Sequence, residues 1–194
     1  MGEPGGEQGG VEPWERVSTR HVAEYEMFKV REDRSRSPGD GKEQTFHVAE
    51  SPGGVVVLAV AEDGRLVMVE QYRHGTRRIT LELPSGVVDD GEEPSAAAAR
   101  ELREETGYEG EDAEIIGRID LNPSWQRTLV PVALVRGARR SGEKDLDETE
   151  ETRVRLVTPH ELRRRIVAGE VETATTIAAL AFWEWTRPGE AARD

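Results

Sequence analysis

The pattern of hydrophobic and polar residues predicts that strands outnumber helices in the first 157 residues. Two runs rich in β-branched residues, Val55 to Val60 and Leu66 to Tyr72, flank a polar turn at 62–64, which is typical of a β-hairpin. Shorter alternating stretches predict further strands near 79–83, 114–119, 129–135 and 152–157. The middle of the chain is therefore predicted to form a sheet.

The N-terminal part of the chain has a different composition. Its first ten residues are rich in glycine and glutamate, which indicates a disordered tail. Segments 21–30 and 44–50 then alternate like strands, and the turn-rich segment 35–42 separates them. The predicted organisation is a tail at 1–10, an N-terminal antiparallel β unit at 11–50 and a larger domain at 51–188.

Local signals predict three helices. Pro94 suits a first helical position and Gly107 suits the left-handed position that ends a helix, so we predict a helix over 94–106. A capping box beginning at Thr158 starts a second helix, and a third is expected at about 173–185. This order of elements predicts an α+β fold in which helices flank a mixed sheet.

Three glutamates in the first predicted helix indicate metal binding. Glu101, Glu104 and Glu105 fall on one side of the helix, where like charges repel by roughly a few tenths of a kcal/mol and do not stabilise the helix. Clustered carboxylates suit Mg²⁺ or Mn²⁺, and Mg²⁺ completes its coordination with waters and phosphate oxygens. The alternative is an exposed acidic face, because the chain has many glutamates.

The glutamates belong to a longer pattern with fixed spacing. It runs glycine, five residues, glutamate, seven residues, and then Arg-Glu-apolar-x-Glu-Glu-x-Gly-apolar, from Gly86 to Tyr108. A chance match is expected about once in 100,000 chains of this length, so the spacing favours the metal site. In these residues the chain resembles the Nudix hydrolase family, and the resemblance covers about three quarters of the sequence in weaker form.

The resemblance implies a role for each residue of the pattern. The expected metal ligands are Glu101, Glu105, Glu104 and the backbone carbonyl of Ser85, with Mg²⁺ as the cofactor and Mn²⁺ as the alternative. The resemblance also implies structural roles: Gly86 forms a backbone bend, Glu92 and Arg100 brace the pattern without touching the substrate, and Gly107 ends the helix.

Features outside the pattern resemble the family members that act on ADP-ribose and related nucleotide sugars. The segment 71–73 reads Gln-Tyr-Arg and is followed by Leu-Glu-Leu-Pro-Ser-Gly, which assigns Arg73 and Glu82 to substrate binding. A guanidinium also suits phosphate geometry. Pro123 lies 15 residues after Tyr108, a spacing that marks ADP-ribose preference in this family. The residues after Pro123 depart from the usual continuation, so the exact substrate stays open.

An acidic segment before the strand at 152–157 resembles a loop that completes catalysis in bacterial members of the family. Glu148 and Glu150 occupy the corresponding positions and are alternative candidates for the general base, with Glu151 as a nearby competitor. A solvated acidic loop is the simpler interpretation of any one of these residues.

Composition limits the partners that we expect. The chain of 194 residues has 39 acidic and 26 basic residues, a net charge of −13, and no basic stripe that would indicate nucleic acid or an anionic membrane as a partner. It has no cysteine and no apolar run of membrane length, and we expect a cytoplasmic protein. The resemblance implies a homodimer formed through the N-terminal β unit.

The sequence therefore predicts a magnesium-dependent hydrolase of a nucleoside diphosphate linked to another group. ADP-ribose, cleaved to AMP and ribose 5-phosphate, is the leading substrate, and GDP-mannose and NADH are alternatives. A regulator that binds a nucleotide without catalysis is a further alternative, but it should have lost carboxylates of the pattern. An isomerase of the same fold would need a catalytic cysteine, which this chain does not have.

Overall fold

The computed structural model describes residues 10–146 and 151–186. In chain order the elements are β1 (Glu15–Glu24), β2 (Lys29–Arg36), β3 (Glu43–Glu50), β4 (Gly54–Ala61), β5 (Leu66–Arg73), β6 (Arg78–Glu82), β7 (Ser85–Val87), α1 (Pro94–Thr106), β8 (Tyr108–Glu109), β9 (Glu114–Asp120), β10 (Gln126–Arg127), β11 (Leu129–Arg140), β12 (Thr152–Val157), α2 (Pro159–Val167) and α3 (Ala174–Thr186). The chain divides into two compact units.

The first unit contains the described residues up to Ser51 together with Ser124–Arg127. Its sheet has the order β1-β2-β3-β10, in which β1, β2 and β3 are antiparallel and the two-residue β10 runs parallel to β3. Ser124–Arg127 lie within the segment 51–188 that the sequence assigns to the larger domain, yet they belong to the first unit, where Gln126 and Arg127 pair with β3.

One strand prediction in this unit is wrong. The sequence predicts one strand over 21–30, but this segment contains the end of β1, a turn closed by the hydrogen bond from Tyr25 N to Phe28 O (2.9 Å), and the start of β2. Most of β2 is charged, and cross-strand ion pairs such as Arg20–Glu32 (2.8 Å) join its side chains to those of β1. Hydrophobic alternation does not detect a strand of this kind.

The second unit is built on an eight-stranded mixed sheet. The path β12-β5-β4-β11-β8 forms its main order, with β6 paired to β5, β7 to β4 and β9 to β11. The central pair β4 and β11 is parallel, and every residue of β4 except Gly54 and Val60 is buried. Strand β11 extends beyond the predicted 129–135, because it passes an irregularity near Gly137 and then pairs with β8.

Apolar side chains cover both faces of this sheet. On one face, strand residues pack with Leu162 of α2 and with Leu180 and Trp183 of α3. On the other face, Val57 and Val67 pack with the α1 residues Ala97, Ala98 and Leu102. Helices therefore flank a mixed sheet in an α+β fold, as predicted. No helix in the described part of the chain is long and apolar enough to span a membrane.

Local signals fix the ends of α1. Pro94 is at its first position, and Gly107 ends it in the left-handed region (φ 72°) with its N–H bonded to the carbonyl of Arg103. The prediction of a helix over 94–106 is confirmed. The capping prediction for α2 is confirmed as well, since the Thr158 hydroxyl accepts the N–H of Glu161 at 3.1 Å.

Candidate active site

Arg100 joins the acidic residues of α1 to the loop before it. Its Nε and Nη2 donate to the two carboxylate oxygens of Glu92 at 3.1 and 2.9 Å, while its Nη1 donates to Glu101 at 2.8 Å and to Glu104 at 3.1 Å. Nη2 also donates to the carbonyl of Val87 at 2.9 Å. One guanidinium therefore fixes the positions of three carboxylates, which a lysine could not do with the same geometry.

The ionisable groups in this cluster shift one another's pKa. Hydrogen bonding from Arg100 lowers the pKa of Glu92 below its ordinary value. The hydrogen bond to Glu92 in turn raises the pKa of Arg100, and the bonds to Glu101 and Glu104 act in the same direction. Arg100 is therefore a permanent cation in the middle of the cluster.

Gly86 lies directly against the carboxylate of Glu101. A Cβ atom on Gly86 would be 2.0 Å from Cδ of Glu101 and 2.1 and 2.2 Å from its two oxygens. The prediction of a backbone bend at Gly86 is wrong, because Gly86 is part of strand β7. Gly86 has no positive φ angle, so backbone conformation does not require glycine at this position. Glycine is required because a side chain would collide with the carboxylate of Glu101.

Glu105 is the most buried carboxylate of α1, with 3% of its surface exposed. Its Oε2 accepts the backbone N–H of Ser85 at 3.1 Å. Val57 N donates to the carbonyl of Pro84 (2.8 Å), so Val56 and Ser85 form the adjacent non-hydrogen-bonded pair of the antiparallel ladder. The N–H and the carbonyl of Ser85 consequently both point away from β4, to the side where Glu105 lies.

These residues fit a divalent cation that keeps part of its coordination for other ligands. Carboxylates of Glu101 and Glu105 and the carbonyl of Ser85 are hard oxygen donors, and the absence of a side chain at Gly86 makes room for the Glu101 carboxylate. Within 10–146 and 151–186, no three acidic or histidine side chains converge closely enough to hold a cation by themselves. Such a site suits an ion that takes waters and substrate phosphate oxygens as its remaining ligands.

Arg73 and Glu82 are paired with each other. Arg73 Nε and Nη2 donate to the two oxygens of Glu82 at 3.1 and 2.8 Å, and the Thr80 hydroxyl also bonds to Glu82. Burial raises the pKa of Glu82, but the bonds from Arg73 and Thr80 and the Arg73 charge outweigh it and hold the pKa below its ordinary value. The assignment of both residues to substrate binding stays a prediction.

The C-terminal end of α1 is hydrogen-bonded to the segment that follows β11. Asp145 N donates to the carbonyl of Glu104 at 2.9 Å, and the Thr152 hydroxyl donates to the carbonyl of Glu105 at 3.1 Å. Lys144 Nζ donates to the carbonyl of Thr152. The sequence gives no sign of these bonds, because Thr152 and Glu105 are 47 residues apart. Both backbone carbonyls belong to glutamates of the predicted metal site.

The remaining predicted residues differ in how far the structure describes them. Glu148 and Glu150, the candidates for the general base, lie outside the described residues. Pro123 is exposed in the turn between β9 and β10, so its part in substrate choice stays a prediction. Gly107 has a second role besides ending α1, since its carbonyl accepts the N–H groups of Ser141 (2.9 Å) and Gly142 (3.2 Å).

Comparisons with known proteins identify the family of the chain. The family model described as NUDIX domain matches residues 50–179. The chain is 34% identical over 169 residues to an ADP-ribose pyrophosphatase of Mycobacterium tuberculosis, covering 86% of this chain and 81% of the relative. It is 35% identical over 144 residues to an ADP-ribose pyrophosphatase of Bacillus subtilis, covering 74% and 78%. A crystal structure of an ADP compounds hydrolase shares the fold, with a TM-score of 0.81, 19% identity and coverage of 94% and 100%.

Proposed function

Because the chain belongs to the Nudix hydrolase family, we propose that it hydrolyses the diphosphate bond of ADP-ribose and releases AMP and ribose 5-phosphate. The observation that carries the choice of substrate is the similarity to two ADP-ribose pyrophosphatases over 86% and 74% of this chain. In the reaction, a water oxygen bonds to one phosphorus, the bridging P–O bond breaks, and the second phosphate leaves with the bridging oxygen.

We propose that Glu101, Glu105 and the Ser85 carbonyl hold Mg²⁺, with Glu104 as a further ligand and Mn²⁺ as a substitute. A divalent cation bound there would supply positive charge beside the phosphate oxygens and lower the pKa of water. The protein's own contribution is to fix the ligands: Arg100 orients Glu101 and Glu104, Ser85 N–H orients Glu105, and Gly86 leaves room for Glu101.

A panel of substrates tests this proposal. Purified protein would be assayed with Mg²⁺ or Mn²⁺ against ADP-ribose, GDP-mannose, NADH, diadenosine polyphosphates and nucleoside triphosphates. We expect the highest kcat/KM with ADP-ribose. A higher value with GDP-mannose or NADH would change the substrate and leave the reaction class intact, whereas no turnover of any compound would contradict the enzyme assignment and favour a regulator that binds a nucleotide.

A general base is proposed among Glu148 and Glu150. Support comes from the sequence resemblance and from the chain on either side, where Asp145 and Thr152 are bonded to the carbonyls of Glu104 and Glu105. Comparing Glu148→Gln with Glu150→Gln tests the choice. The variant without the base should lose activity at neutral pH and show a changed pH profile of kcat, whereas full activity in both variants would exclude the two residues.

We also propose a homodimer formed through the N-terminal unit. In support, this unit exposes several large apolar side chains, including Trp14 (43% exposed) and Phe46 (41%), which contact each other edge to face at 5.4 Å. Light scattering after size-exclusion chromatography should give the mass of two chains, and Phe46→Glu should give one. Trp185→Glu is the control, since Trp185 is 69% exposed but belongs to the other unit. A monomeric unsubstituted protein would contradict the proposal.

The cytoplasmic location and the absence of a nucleic-acid partner stay predictions.

A further inference from the structure

The amide nitrogen of Gln71 has an unusual environment. Among the residues that the structure describes, it is the one buried side-chain nitrogen or oxygen atom without a hydrogen-bond partner. Leaving a buried donor unpaired is unfavourable, so such an atom in a native structure calls for an acceptor outside the described residues. A bound water or an atom of a ligand can supply that acceptor.

The register of the sheet places Gln71 on the face that carries α1. In β5, Val67 packs against α1 residues, and Gln71 lies four positions further along a regularly paired strand, so both side chains point to the same face. Gln71 pairs with Thr80 of β6 on one side and with Thr152 of β12 on the other. We call Thr80, Gln71 and Thr152 the polar row.

Both ends of the polar row reach groups assigned to the active site. The Thr152 hydroxyl donates to the carbonyl of Glu105 at 3.1 Å, and neighbouring strands are about 5 Å apart, so Gln71 lies one strand away from this contact. At the other end, the Thr80 hydroxyl bonds to Glu82, which is paired with Arg73. Gln71 therefore lies between the predicted metal ligand Glu105 and the predicted substrate contact Arg73.

We propose that the side-chain amide of Gln71 donates a hydrogen bond to an oxygen of the diphosphate of the bound substrate. The proposal rests on the proposed function, since the substrate must carry a diphosphate. An anionic oxygen is a strong acceptor for a neutral amide donor. A carboxylate at position 71 could not make this contact.

The amide reaches a ligand without disturbing the ion pair beside it. Gln71 as a whole residue is partly exposed, although its nitrogen is buried. The terminal torsion of a glutamine side chain is soft, so the amide can rotate toward a ligand oxygen. Arg73 and Glu82 keep their paired positions, because no contact of theirs with the Gln71 nitrogen has to be broken.

Gln71→Met tests the proposal because methionine keeps the length of the side chain and removes the donor. With ADP-ribose and Mg²⁺ we expect KM to rise roughly 10-fold while kcat changes less than about twofold, as for an interaction made equally in the ground state and the transition state. The melting temperature without ligand should not fall, since the substitution removes an unpaired buried donor. Gln71→Glu should raise KM further, because it adds a negative charge.

The adjacent substitution Tyr72→Met is the matched control. Tyr72 is 50% exposed, and its side chain points to the opposite face of the sheet from Gln71. The KM of Tyr72→Met should therefore equal that of the unsubstituted protein. An unchanged KM in both Gln71 variants, or a lower melting temperature of Gln71→Met with an unchanged KM, would overturn the proposal and indicate a bound water instead.

A binding measurement separates this proposal from the proposed function. In the presence of EDTA, saturating ADP-ribose should raise the melting temperature of the unsubstituted protein and raise that of Gln71→Met much less. If the unsubstituted protein binds ADP-ribose but hydrolyses nothing, the proposed function fails while the Gln71 proposal is still decided by this comparison. An equal rise in both proteins would contradict the Gln71 proposal alone.

Discussion

The carboxylate of Glu101 occupies the space that a side chain on Gly86 would need, since a Cβ atom there would lie 2.0 Å from Cδ of Glu101. Gly86→Ala should therefore displace Glu101, a proposed metal ligand, and lower kcat by about 100-fold. The fold should persist, because Gly86 has no positive φ angle and alanine is compatible with a strand. Steady-state kinetics and circular dichroism would measure the two effects.

Gly53→Ala is the control for this substitution. A Cβ atom on Gly53 would meet no atom within 4 Å, and its φ angle is also not positive. Its kcat should match that of the unsubstituted protein. Equal kcat values for Gly86→Ala and the unsubstituted protein would show that the position of Glu101 does not limit the reaction.

Arg100 should not be replaceable by lysine. Its planar guanidinium contacts Glu92, Glu101, Glu104 and the Val87 carbonyl at once, and a lysine ammonium cannot reproduce that geometry. In urea unfolding without divalent cations, Arg100→Lys should lower the free energy of unfolding by about 1–3 kcal/mol. Arg103→Lys on the same helix should change it by less than about 0.5 kcal/mol, because that side chain is 56% exposed. Similar losses in both variants would contradict the bracing role.

Glu105→Gln should separate metal binding from folding. The glutamine oxygen can still accept the N–H of Ser85, and no charge is then buried, so the melting temperature without metal should not fall. Activity with Mg²⁺ should fall by about 100-fold or more. Loss of a residue that only hydrogen-bonds to a metal ligand already lowers metal affinity or activity by about 10–100-fold. Glu93→Gln, an exposed position at the start of α1, should retain full activity. Full activity of Glu105→Gln would refute the metal assignment.

The pair Arg73–Glu82 should make stability depend on pH. The folded-state pKa of Glu82 is lowered from 4.5, so its ionised form stabilises the folded protein above pH 4.5, and this contribution is lost as the pH falls through the lowered value. At pH 7, Glu82→Gln should reduce the free energy of unfolding by about 1–3 kcal/mol. Urea unfolding from pH 7 to pH 3 should show the difference shrinking below pH 4.5. A constant difference would exclude this linkage.

The parts of the molecule that the sequence predicts well depend on local signals. Pro94 and Gly107 mark the ends of α1, and the periodicity of the helix brings Glu101 and Glu105 to one side, so the helix and its carboxylates follow from neighbouring residues. The hairpin of β4 and β5 follows in the same way from two apolar runs around Gly64, which has a φ angle of 81°.

Other parts depend on which strands become neighbours. The apolar pattern does not predict strand β2 over its full length, because most of its residues are charged and their partners, such as Arg20 for Glu32, lie on the neighbouring strand. The sequence predicts a bend at Gly86, whereas glycine is needed there because of the contact with Glu101, which forms only once β7 packs on α1. The bond between Thr152 and Glu105 joins residues 47 positions apart, and no sequence pattern marks it.

Thr152 should act as a positioning residue for Glu105. Its hydroxyl donates to the Glu105 carbonyl at 3.1 Å in the last turn of α1, where backbone carbonyls have no partner within the helix. Thr152→Val keeps the shape and the β-branch but removes the donor, so the Glu105 backbone loses this fixed contact. We expect the Mg²⁺ concentration for half-maximal activity to rise roughly 10-fold, in line with other residues that orient metal ligands.

Thr152→Ser is the matched variant, because it keeps the hydroxyl and removes only a methyl group. Its Mg²⁺ dependence should equal that of the unsubstituted protein, even where its melting temperature falls slightly with the loss of the β-branch. A purely structural role would lower the melting temperature in both variants and leave the Mg²⁺ dependence unchanged in both. A rise in the required Mg²⁺ that occurs with valine but not with serine shows that the Thr152 hydroxyl acts through Glu105.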